Sequence, residues 1–82
     1  MPLTDNQVLT LMSLGVLLGR VGREALTEFE QVLVREVSER WVRDRRAAQV
    51  TAEEWQVVER AIDAMRAEMR EQLGELAEVH AI

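Results

Sequence analysis

Three stretches of the chain place apolar residues at helical spacing, and each has a threonine followed three residues later by Gln or Glu. Thr4 with Gln7, Thr27 with Glu30 and Thr51 with Glu54 are candidate capping boxes. In that motif the hydroxyl accepts from the backbone N–H three residues on, and the longer side chain reaches back to the cap. Leu3 and Val8 bracket the first box as a hydrophobic staple, and Val50 and Trp55 bracket the third. The pattern predicts helices over about 5–19, 23–48 and 52–79. The second start is open between Arg23 and Thr27. Gly19, Val21 and Gly22 loosen the end of the first helix, with Gly22 as a left-handed terminator. A single bent helix running on from there is the alternative. Val79 to Ile82 are expected to fray.

The second helix carries Leu26, Phe29, Leu33, Val37 and Trp41 along one stripe. The third carries Trp55, Val58, Ile62, Met65 and Met69 at alternating steps of three and four, the seam of a coiled coil, before shifting to Leu73 and Leu76. The short link between them predicts an antiparallel hairpin. Facing layers then pair Trp41 with Val58, Val37 with Ile62, Leu33 and Val34 with Met65, Phe29 with Met69, and Leu26 with Leu73. Every layer is apolar on both sides. Met65 and Met69 read as core at this spacing rather than as an adaptable binding groove.

The first helix breaks the pattern. Val8, Leu9, Leu11, Met12, Leu14, Val16, Leu17, Leu18 and Val21 are apolar nearly all round it, whereas a helix lying on a hairpin needs one polar face. Its excess calls for cover beyond the hairpin: a second copy, another protein or a membrane surface. Gly15 and Gly19 lie four residues apart, which lets another helix approach closely. The expected fold is therefore all-α: an antiparallel helical hairpin with a short apolar N-terminal helix, completed to a bundle by dimerisation. The predicted self-association residues are Leu11, Leu14, Gly15, Leu18 and Gly19.

Length supports this picture. Eighty-two residues make a single domain, and chains this short often gain stability by oligomerising. There is no cysteine, which excludes disulfides and thiolate metal sites. The formal net charge of −5 is unevenly placed. Residues 1–51 hold seven acids and seven arginines and sum to zero; residues 52–82 hold eight acids and three arginines and sum to −5. An acidic chain is repelled by nucleic acid and by anionic membrane. No basic leader region precedes the apolar run from Val8 to Val21, which is itself too short and too interrupted to span a bilayer. A cytoplasmic location is expected.

Candidate chemistry is sparse. The serines are Ser13 and Ser38 and the one histidine is His80, which supplies no nucleophile, base and orienting group together. No catalysis is expected. Glu71, Glu75 and Glu78 share a face near His80 but lack the Glu-x-x-His steps of a di-iron bundle, so a solvated acidic face is expected, with no metal and no cofactor. The one basic cluster holds Arg40, Arg43, Arg45 and Arg46 beside Trp41. It fits either phosphates or an acidic partner, or simple pairing with the helix end and with Glu53, Glu54 and Glu59 across the hairpin. The functional expectation is a small helical interaction protein (an adaptor, an assembly factor or chaperone, or an inhibitor of a larger protein) acting as a homodimer. A nucleic-acid-associated regulator using Arg40–Arg46 is the alternative.

Overall fold

The computed structural model describes residues 2–80, and side chains for residues 2–75. It is all-helical, with no strand among the described residues: α1 (Asp5–Ala25), α2 (Glu28–Asp44), a single 3₁₀ turn (Arg45–Ala47) and α3 (Ala52–His80). All three expected capping boxes form. Thr4 N–H donates to Gln7 Oε1 at 2.9 Å while Gln7 N–H donates to Thr4 Oγ1 at 3.2 Å. Thr27 with Glu30 and Thr51 with Glu54 repeat the exchange. These local bonds satisfy backbone donors that every helix start leaves orphaned.

Two boundaries differ from expectation. Helix α1 runs through Gly19 and Gly22 to Ala25, and Leu26 caps it in an extended conformation, its N–H donating to Gly22 O. Gly22 does not adopt a left-handed conformation; it is buried beside Val21. Burial there outweighs a helix cost for glycine of about 0.5–1 kcal/mol. Helix α2 starts at the Thr27 cap and ends at Asp44, short of Ala48. Arg45, with φ 53°, stops it. The carbonyl of Arg46 is then free to accept from Leu3 N–H at 2.9 Å, which ties the entry of α1 to the exit of α2. Helix α3 extends to His80; the fraying expected over Val79 to Ile82 falls on side chains, and from Ala81 on whole residues, that lie outside the described set.

The helices pack as a bundle in which α1 contacts both α2 and α3. One core holds Leu11, Leu14, Leu17 and Val21 of α1, Val34 and Val37 of α2, and Val58, Ala61, Ile62 and Met65 of α3, with Leu3, Leu26 and Ala48 sealing the ends. No buried side-chain polar atom lacks a partner among the described residues, as expected of a well-formed interior. The upper hairpin layers are not made as the seam predicts: Phe29 is 70% exposed and Leu73 60%. At an axial rise of ~1.5 Å per residue, the 29 residues of α3 span about 43 Å and the 21 of α1 about 31 Å. Among the described side chains of α3 the last fully buried is Met65, with Met69 partly buried against the core, and the greater length of α3 carries its final turns beyond the end of α1.

Candidate interaction surface

The face that α1 turns inward accounts for two of the five predicted self-association residues. Leu11 and Leu14 are wholly buried in the chain's own core, so a second molecule cannot reach them. The reason lies in α3. Val57, Ala61 and Ala64 widen its apolar seam into a broad arc, and an arc of that width serves two neighbours. Most of the cover that α1 requires is thus internal.

The remainder of α1 is not covered. Leu9, Met12 and Val16, spaced i, i+3, i+7, are 61%, 53% and 59% exposed. They form a strip that continues across a shallow depression to Trp41 and Val42 of α2. From that end a groove follows the α1–α2 seam. Gly15, Ser38 and Val42 line its middle, and Leu18, Gly19, Arg20, Arg23 and Arg35 line its far end. The three remaining predicted residues, Gly15, Leu18 and Gly19, are therefore at the surface, in this groove. A methyl group built on Gly15 would meet Ser38 Oγ at 3.8 Å, and one on Gly19 would meet nothing within 4 Å. Neither glycine is required by close packing inside the chain. Gly15→Ala and Gly19→Ala should each stabilise the protein by about 0.5–1 kcal/mol, raising the melting temperature by about 4–8 °C per kcal/mol. A thermal melt followed by circular dichroism checks this, and a fall in melting temperature would show that the glycines are needed internally.

The basic cluster divides into two roles. Arg40 forks onto Glu54, with Nη1 and Nη2 at 2.8 and 2.7 Å from its two carboxylate oxygens, and also donates to Gln49 O at 3.1 Å. The guanidinium and the Thr51 backbone N–H together hold the Glu54 carboxyl down at about 2, and the same pairing raises Arg40. Arg46 donates to Asp5 at 2.7 Å and to Leu3 O at 3.2 Å. These two arginines fasten the pole where α1 begins, α2 ends and α3 begins. The expected pairing of the cluster with α3 occurs at Glu54; Glu53 and Glu59 take no part among the described ion pairs.

Arg43 and Arg45 face the groove instead. Arg43 is engaged by its neighbour Asp44 at 3.1 Å, which raises the guanidinium and lowers the carboxyl. Arg45 lies over the Trp41 ring, 5.5 Å from its centroid, a cation–π contact that anchors a residue whose positive φ is otherwise costly. Together with Arg20, Arg23 and Arg35 they place five arginines along one groove, with Glu24 and Glu39 also in its lining and Asp44 already paired with Arg43. Sequence reasoning missed Arg20, Arg23 and Arg35, because they are dispersed in the chain and only helix packing aligns them.

No cluster of His, Cys, Asp or Glu is placed to hold a metal among the described residues. The side chains of Glu78 and His80 lie outside the described set. Among the same residues no helix is long and apolar enough to cross a membrane. No protein-family model, curated protein or solved structure matches the chain.

Proposed function

We propose that the chain is a small non-enzymatic helical interaction protein, working as a homodimer and serving as an adaptor, assembly factor or inhibitor of a larger protein in the cytoplasm. In this reading α2 and α3 form the antiparallel hairpin, α1 completes the core, and the α1–α2 face meets other proteins. One observation carries it: Leu9, Met12 and Val16 stay more than half exposed on a helix whose opposite side is fully buried. Water contact with three aligned apolar side chains is unfavourable by about 25 cal/mol for each Å² left uncovered. Contiguous apolar strips on small proteins commonly mark contact sites.

Light scattering coupled to size exclusion, over a dilution series, tests the homodimer. The wild type is expected to be dimeric at tens of micromolar. A Cβ at Gly19 would meet no atom within 4 Å, so Gly19→Leu has room to start into the groove and should weaken the dimer about tenfold or more, the scale of one lost interface anchor. Its helical content should not change. A wild type that stays monomeric at the highest concentration overturns the reading.

The five arginines along the groove favour a second reading, a nucleic-acid-associated regulator. It differs from the sequence-based form in its residues, since Arg40 and Arg46 are committed to internal pairs. Retardation of random-sequence DNA that declines steeply with salt would support it.

A further inference from the structure

We infer that the arginine end of the α1–α2 groove receives the acidic end of α3 from a second copy of the chain, the two copies exchanging these ends tail to tail. The inference rests on the homodimer proposed above and specifies its charged contacts; the Leu9, Met12 and Val16 strip, nearer the start of α1, is not among them.

Three observations lead to it. The first is position. Arg46 with Leu3 and Asp5, and Arg40 with Glu54, bring the start of α1, the end of α2 and the start of α3 to one pole. The opposite pole holds the end of α1, the start of α2 and the projecting turns of α3. Arg20 and Arg23, near the end of α1, therefore sit at the same pole as the projection. Two copies placed pole to pole about a two-fold axis present each projection to the other's arginines. Such an arrangement closes on itself, as most homodimers do.

The second is charge. Arg20, Arg23 and Arg35 line that end of the groove with Glu24 as the one carboxylate, and none of these arginines is in an ion pair among the described residues. On α3, Glu68, Glu71 and Glu75 recur at i, i+3, i+7 and so form one ridge. Glu71 and Glu75 are exposed and likewise make no ion pair among the described residues. From residue 71 to residue 80 the chain has no arginine. An arginine-walled groove and a carboxylate ridge left uncovered by its own bundle are complementary in sign.

The third is shape. Gly19 leaves the groove floor without a side chain and Gly15 continues it, so a helix ridge can settle between the arginine walls. Arginine is suited to this role because its planar fork meets carboxylates bidentately. A polyanion such as nucleic acid would meet the same arginines, but it would also meet the acidic α3 ends of a chain of net charge −5, which repel it.

Charge reversal tests the exchange. One variant carries Arg20→Glu with Arg35→Glu; the other carries Glu71→Arg with Glu75→Arg. All four positions are exposed, so each variant should keep the helical content of the wild type. Each alone should lose at least tenfold in self-association by light scattering over the dilution series. Mixed in equal amounts they should form a heterodimer of near wild-type affinity, because both contacts of the mixed pair then join opposite charges. Restoration on mixing supports the exchange. If each variant alone dimerises as tightly as the wild type, or the mixture stays monomeric while the wild type is a dimer, the exchange is wrong and the homodimer stands on another surface. A wild type that is monomeric throughout fails both. Fluorescein-labelled single-stranded DNA bound by the wild type and lost in the Arg20→Glu, Arg35→Glu variant, with no mixed dimer, assigns the groove to phosphate and overturns the exchange.

Discussion

Leu14→Asp is expected to abolish the helical fold at every protein concentration. Leu14 has no exposed surface and sits in the core shared by all three helices. An aspartate there would be a buried carboxylate with no partner, since no charged residue is buried in that core. Desolvating it without a compensating bond costs several kcal/mol, comparable with the whole ~5–15 kcal/mol that holds a small domain together. Leu14→Ala is the graded form of the same test. It should cost about 2–5 kcal/mol through lost burial and the cavity left behind. Circular dichroism melts at low and high protein concentration measure both. The loss should be the same at the two concentrations, because Leu14 packs within its own chain. A stable, fully helical Leu14→Asp protein would show that α1 does not belong to the core, and a loss confined to dilute samples would place Leu14 at a subunit contact.

That test addresses the place where sequence and structure part. The helix starts were legible, because a capping box is written within four residues and needs no tertiary partner. The apolar seam of α3 was legible for the same reason. What it faced was not. Val58, Ile62 and Met65 were read as one narrow stripe for α2, and Ala61 and Ala64 beside them had no place in that stripe. Ala61 is buried in the shared core and Ala64 packs against it, so the apolar arc of α3 is wide enough for two neighbours. A helix that looked too apolar for its chain was thereby mostly accommodated inside it, and only Leu9, Met12 and Val16 keep the character expected of the whole. Gly22 misled in a related way. Glycine is a common helix terminator, but the packing of Val21 and Gly22 in the interior carried the helix past it. The candidate surface was legible in part, since Gly15, Leu18 and Gly19 do reach the groove. Its arginine walls come from three separate stretches of sequence, and no linear pattern joins them.

The pole opposite the groove's arginine end should respond to acid chiefly through Glu54. Glu54 accepts both arms of Arg40 and the Thr51 N–H, so its carboxyl titrates at about 2 instead of the ordinary 4.5. A depressed carboxyl contributes stability that is complete above the unfolded value and is lost as pH falls through the folded one. The window here runs from about 4.5 down to about 2. At 1.36 kcal/mol per unit the shift corresponds to roughly 3 kcal/mol. Partial exposure of the two side chains, 25% for Arg40 and 17% for Glu54, reduces this to about 1–2 kcal/mol through solvent screening. Glu54→Gln keeps a side chain able to close the capping box and removes only the charge. The variant should melt lower than the wild type at neutral pH, by about 4–8 °C for each kcal/mol lost. The gap should hold down to the ordinary carboxylate range and close as the wild type protonates below it. Paired melts across that range give the difference directly, and other carboxylates cancel because both proteins share them. An equal gap at neutral and at strongly acid pH would mean that Glu54 acts through packing and not through its charge.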